Sequence, residues 1–204
     1  MATCKVVVVR HGKQQDLGLG FTSWGLPAVL TPDGVELAKN FVRLNREILQ
    51  GCTLFATSPL IRAQQTLFTI MGELGIKVAD FDQLVKICNR LYVREPERYM
   101  SSDPNETVAS WATRNLTFVM EEGERVFEAI KCLIVGPVSA KGGSALCVSH
   151  GGPIDLLLAH AKNELPHSNG LAFQSIEDLK KGEGMALYFD DGKLIAVKEL
   201  RFPK

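Results

Sequence analysis

The stretch Lys5-Val6-Val7-Val8-Val9 constrains the fold of the whole chain. It is an unbroken, largely β-branched run, and Arg10-His11-Gly12 follows at once. A strand with one wet face alternates apolar and polar residues, whereas an uninterrupted apolar run needs cover on both faces. That is the condition of a central strand in a parallel sheet, whose ligands bind beyond the carboxyl ends of the strands. A cation, an imidazole and a glycine therefore stand where a ligand arrives. The glycine permits a sharp turn and a close backbone approach.

The same pattern recurs along the chain. Ser144 to Ser149 is another apolar strand; it ends in His150-Gly151-Gly152, and Pro153 opens a helix. Between the two, Thr53 to Thr57 predicts a strand, and Ser58-Pro59 reads as a cap-plus-proline start for a helix from Leu60 to Leu74. Arg62 falls in its first turn, where unpaired N–H groups and the positive dipole end favour an anion. An earlier helix opens at Thr31-Pro32-Asp33-Gly34, with Leu37, Phe41, Leu44 and Ile48 as its buried face. Residues 12–30 form a long loop over the strand end, with Phe21-Thr22-Ser23-Trp24 inside it.

Farther on, Val78 to Ile87 predicts a third strand, and residues 89–106 a charged excursion over the active face. A helix from about Glu106 to Val135, bent near Gly123, leads to a loop containing Gly136-Pro137 and Gly142-Gly143. Residues 162–182 read as irregular. Met185 to Phe189 and Leu194 to Leu200 alternate as strands around Asp191-Gly192, a type I′ hairpin signal. The expected fold is α/β: a three-layer sandwich with a mostly parallel central sheet, helices on both faces and an antiparallel C-terminal edge hairpin.

At 204 residues, the chain is expected to form one domain over 1–204. A formal net charge of +0 points to no nucleic-acid or membrane partner. The N-terminus lacks a cationic segment leading into a long apolar one, so no signal peptide is expected. Five cysteines form no CxxC pair, and Cys4, Cys132 and Cys147 lie in or beside apolar runs. Buried free thiols in a reducing, cytoplasmic setting are the expectation.

Arg10, His11, Arg62 and His150 should meet at one rim of one sheet. Two guanidiniums and two imidazoles suit a dianionic tetrahedral group such as phosphate. A neutral imidazole can attack phosphorus and form a phosphohistidine, splitting one displacement into two easier ones. No metal or cofactor is called for: zinc-type Cys/His spacing is absent, and His160 and His167 fall outside the pattern.

Val9-Arg10-His11-Gly12, Ser58-Pro59-Leu60-Ile61-Arg62-Ala63-Gln64-Gln65-Thr66 and Ser149-His150-Gly151-Gly152-Pro153-Ile154 together resemble the three signatures of the histidine phosphatase superfamily, in its phosphoglycerate mutase-like branch. The resemblance implies that His11 is the nucleophile, that Arg10, Arg62 and His150 bind the phosphoryl group, and that Gly12 and Gly151 line the substrate site. Thr22 and Ser23 would approach the rest of the substrate. Family members usually carry an acid glutamate after the third strand; Lys86 stands there, and a lysine is a poor proton donor at neutral pH. Glu95 and Glu97 are the alternative donors.

The continuation Lys13-Gln14-Gln15 departs from the true mutase pattern. A phosphatase is therefore expected, acting on a small phosphomonoester or a protein phosphohistidine. The competing expectation is a catalytically impaired member that binds phosphorylated ligands or protein partners.

Overall fold

The β-branched run forms the strand it predicts. In the computed structural model, which describes residues 3–17, 27–76, 85–87, 106–139, 143–166, 168 and 172–203, it belongs to β1 (Thr3–Arg10). The other described strands are β2 (Cys52–Thr57), β3 (Val85–Ile87), β4 (Ser144–Ser149), β5 (Gly184–Asp190) and β6 (Lys193–Leu200). They make one six-stranded sheet in the order β3-β2-β4-β1-β5-β6. β1 pairs parallel with β4, β4 with β2 and β2 with β3, while β5 runs against β1 and β6 against β5.

Alternate valines of β1 feed two separate cores. Val7 and Val9 pack with Phe41, Val42, Leu67 and Ile70 of helices α1 (Pro32–Leu49) and α2 (Ile61–Glu73). Val6 and Val8 pack on the opposite face with Val126, Ile130 and Leu157, from helices α3 (Val108–Ile130) and α5 (Gly151–Glu164). All four valines are at most 1% exposed, and each contributes about 1.5–3 kcal/mol of burial. This is the expected mostly parallel sheet with helices on both faces. The hairpin also forms as predicted, with Asp191 at φ 49° and Gly192 at φ 74° between β5 and β6. Both central residues have positive φ, as a type I′ turn requires.

Helix connections place the site. From β1 the chain passes to α1 on one face; from its neighbour β4 it passes to α5 on the other. Adjacent strands whose continuations diverge leave a crevice between their carboxyl ends. Arg10 pairs with Ser149, so His11 and His150 leave the sheet side by side at that crevice.

Several local expectations are corrected. Leu44 is exposed rather than buried, because α1 buries Gly34, Ala38, Phe41, Val42 and Leu49. At helical pitch Leu44 lies about 110° from the centre of that stripe. The bend in α3 occurs at Asn115 (φ −152°, ψ 80°), whose Oδ1 accepts from Phe118 N, and not at Gly123. Gly136-Pro137 is helical: a π-helical turn, Lys131–Val135, runs into α4 (Gly136–Ser139). Residues 162–182 include the end of α5 and the short helix α6 (Ala172–Ser175). Cys4 and Cys147 are buried, but Cys132 is exposed, since α3 turns Phe127 and Ile130 inward and the next turn carries Cys132 outward. The Val78–Ile87 strand is described only from Val85, and the 89–106 excursion lies almost wholly outside the described residues.

Candidate active site

His11 follows β1 directly, and its backbone N–H donates to Ser149 O at 2.9 Å, tying it to the end of β4. Its ring is 5% exposed. Nδ1 lies 2.7 Å from Gly12 O. A carbonyl can only accept, so Nδ1 carries the proton and Nε2 keeps its lone pair. Arg62 Nε donates to that Nε2 at 3.3 Å. Burial, reinforced by His150, Arg62 and Arg10, holds the imidazole pKa well below its usual value. His11 is therefore neutral at physiological pH, with its available lone pair facing a guanidinium.

His150 sits at the head of α5, its ring centroid 5.1 Å from that of His11. Its Nε2 is 2.6 Å from Ser58 Oγ. Ser58 Oγ also accepts from Leu60 N, leaving the hydroxyl proton for the imidazole. Burial, Arg62 and Arg10 push the His150 pKa down to about 3. Ser58 is thus a partner of His150 and not a side-chain helix cap: α2 starts at Ile61 after Leu60, with no side-chain cap bond. The Thr31 cap, by contrast, is present, with Oγ1 accepting from Gly34 N.

Two guanidiniums complete the cluster. Arg62, 4% exposed, projects from the first turn of α2. Arg10 donates from Nη1 to Leu179 O. Leu179 N in turn donates to Oδ1 of the fully buried Asp155 at 2.8 Å, so α5 steadies the carbonyl that holds Arg10. Burial raises the Asp155 pKa well above the carboxylate range, and the nearby Asp178 adds to the shift. Arg10 Nε is buried and bonded to nothing among the described residues. A buried charged donor left without an acceptor costs about 1–3 kcal/mol or more, and an incoming anion relieves that cost.

The loop after β1 is fixed by contact between glycines. A Cβ on Gly12 would stand 2.3 Å from Gly34 O, and one on Gly34 would stand 2.0 Å from Lys13 O. Only two bare Cα atoms allow that approach. Gly12 N donates to Thr66 Oγ1 at 3.1 Å, and Thr66 Oγ1 donates to Arg62 O at 2.8 Å. One hydroxyl thus links the loop after His11 to the turn that carries Arg62. Farther out, Gln14 bridges Leu30 and Gln15 N donates to Val29 O, closing the base of the 12–30 loop.

The structure therefore brings Arg10, His11, Arg62 and His150 together, with Gly12 and Gly151 in the backbone around them. Thr22, Ser23, Glu95 and Glu97 lie outside the described residues. Lys86 lies within β3, paired with Ala56. Sequence reasoning missed the roles of Ser58, Thr66, Asp155 and Leu179. Thr66 had a signal, lying four residues after Arg62 and hence on the same helix face. Among the described residues, no group of three or more His, Cys, Asp and Glu side chains is disposed to hold a metal ion, and no helix is long and apolar enough to cross a membrane.

A buried, neutral imidazole pair between two arginines, at the switch point of an open α/β sheet, defines a class of phosphoryl-binding protein. The family model of the histidine phosphatase superfamily (branch 1) matches residues 6–181, and the chain belongs to that family. Many solved structures share the fold, among them three phosphatases. Phosphoserine phosphatase from Entamoeba histolytica, in complex with 3-phosphoglyceric acid, is 15% identical with a TM-score of 0.68, covering 98% of both chains. A mycobacterial glucosyl-3-phosphoglycerate phosphatase is 16% identical with a TM-score of 0.63, over 99% of this chain and 100% of that one. Alpha-ribazole phosphatase from Shigella flexneri is 20% identical with a TM-score of 0.61, over 97% of this chain and 96% of that one. None of the curated proteins compared with the sequence matches it.

Proposed function

We propose that this chain is a metal-independent phosphatase that hydrolyses a small phosphomonoester through a phosphohistidine on His11. The observation that carries this reading is the tautomer of His11. Its Nδ1 proton is engaged by Gly12 O, and Arg62 Nε stands 3.3 Å from the lone pair on Nε2. In the first step that lone pair bonds to phosphorus, the bond to the leaving oxygen breaks, and the leaving oxygen takes a proton. In the second, water attacks phosphorus and gives a proton to the group that protonated the leaving oxygen, the P–N bond breaks, phosphate leaves and His11 regains its lone pair. Arg10 and Arg62 match the two charges of the phosphoryl group and supply the neutralisation that a metal ion provides elsewhere.

Glu95 is the proposed proton donor to the leaving oxygen, with Glu97 as the alternative. The three phosphatases compared above are each named for a small molecule, which favours a metabolite over a phosphohistidine protein. The free thiols of Cys4, Cys52, Cys132 and Cys147 fit a cytoplasmic setting.

An aryl phosphate, whose leaving group needs little acid assistance, gives the direct test. Turnover should survive chelator and vanish in His11→Ala, and denatured enzyme quenched during turnover should carry an acid-labile, alkali-stable phosphoryl group. Chelator-sensitive turnover, or full activity in His11→Ala, would overturn the mechanism. Phosphate binding without turnover would instead favour the impaired, ligand-binding member suggested by Lys86.

A further inference from the structure

Ser58 follows β2 directly, and its backbone N–H donates to Val148 O at 3.0 Å, near the end of β4. Its carbonyl accepts from Thr57 Oγ1 at 3.1 Å, and the whole residue is 0% exposed. The side chain therefore starts from a backbone fixed to the strand that carries His150. Among the described residues its Oγ meets two groups, His150 Nε2 at 2.6 Å and Leu60 N at 3.3 Å. A backbone N–H can only donate, so Oγ accepts from Leu60 and sends its own proton to Nε2.

That bond assigns the proton on His150. A ring nitrogen that accepts carries no hydrogen, so the neutral imidazole has its proton on Nδ1. The opposite tautomer would aim both Nε2–H and Leu60 N–H at one oxygen. The Ser58 hydroxyl would then have no acceptor among the described residues, in a place closed to water, and an unmade bond there is costly. Because Ser58 covers Nε2, a phosphoryl oxygen can meet a nitrogen of this ring only at Nδ1. Unprotonated phosphoryl oxygens only accept. An Nδ1–H attracts them, whereas a bare Nδ1 lone pair repels them.

We propose that Ser58 is a positioning residue: its hydroxyl holds His150 in the Nδ1–H tautomer, so that the second imidazole meets the phosphoryl group as a neutral donor and not as an acid. This deepens the phosphatase reading and rests on it for the identity of the bound group. Ser58 acts through His150 and touches neither the substrate nor the reacting atoms.

Long-range proton–nitrogen correlation spectra of the nitrogen-labelled, phosphate-free protein read the tautomer directly, with His150 assigned from the signals missing in His150→Gln. Near neutral pH the unsubstituted chain should show a protonated Nδ1 and a bare Nε2, and Ser58→Ala should show a mixture or the reverse. A protonated Nε2 in the unsubstituted chain, or an unchanged tautomer in Ser58→Ala, overturns the proposal. With an aryl phosphate, kcat/KM should fall about tenfold or more in Ser58→Ala, since a mixture keeps part of the donor. The same change made in His150→Ala should cost almost nothing. A full loss in that background would mark Ser58 as a mere support of the chain entering α2, and the proposal would fail. Should Ser58→Ala not fold, Ser58→Cys, a weaker donor of similar size, takes its place in both measurements. The spectra need no substrate, so the tautomer stands or falls apart from the phosphatase reading, which aryl phosphate turnover by the unsubstituted chain decides.

Discussion

Replacing Gly151 by alanine should separate activity from stability. A Cβ at this position would stand 2.5 Å from Arg10 Cζ, 2.7 Å from Nη2 and 2.9 Å from Nε. Ordinary contact begins at 3.4 Å, so the guanidinium must retreat by roughly 1 Å, the scale of misplacement that lowers turnover about 100-fold. The group displaced is the end of a flexible side chain, and no backbone has to move. Alanine is also a better helix residue than glycine by about 0.5–1 kcal/mol, and Gly151 is the first residue of α5. Gly151→Ala should therefore unfold in urea at or above the wild-type midpoint while kcat/KM for an aryl phosphate falls about 100-fold. Combined with Arg10→Ala it should add almost nothing, because both changes act through one guanidinium. Activity within about threefold of wild type, or a loss that adds fully to that of Arg10→Ala, would refute the reasoning.

Gly34→Ala should do the opposite, since its Cβ meets backbone, the Lys13 carbonyl, at 2.0 Å. We expect about 3 kcal/mol or more of destabilisation by urea unfolding, and a change below about 1 kcal/mol would show that the loop can yield. Thr66→Val leaves the buried Gly12 N–H without its acceptor; it should cost about 1–3 kcal/mol and speed hydrogen exchange at that amide, and unchanged exchange would refute the link. His150 has a folded pKa near 3 against an ordinary 6.5. Between those values the unfolded chain binds a proton that the folded chain refuses, so stability falls as pH drops, by about 1.4 kcal/mol per pH unit. His150→Gln should remove that share of the slope between about pH 6 and pH 4, and equal slopes in urea titrations of both proteins would sink the assignment.

How much of this was legible from sequence depended on whether a residue's type carries its role. Burial on both faces admits few compositions, so β1 and β4 could be read directly, and the histidines at their ends came with them. Arg62 was legible because it stands in the first turn of a helix that follows directly on a strand, the setting that also marks His11. Ser58 was misread because its partner, His150, is 92 residues away, while the local pattern suggested a cap. Leu179 acts through its carbonyl, which every residue type possesses, so nothing in its side chain marks it. Leu44 and Cys132 were misplaced for a simpler reason: an apolar or sulfur side chain beside a buried stripe looks the same in sequence as one inside it.

The pairing of Arg10 with Ser149 has a consequence for how the protein should fail. The gap between the two imidazoles is spanned by a single step of the hydrogen-bonded ladder, with β1 and β4 as neighbouring rungs. Side-chain substitutions in either core can loosen the sheet without stretching that step, whereas slipping one strand by a residue would turn one ring away altogether. Destabilised variants should therefore lose function as a shrinking population of fully competent molecules, and the turnover of each molecule that remains folded should stay near its original value.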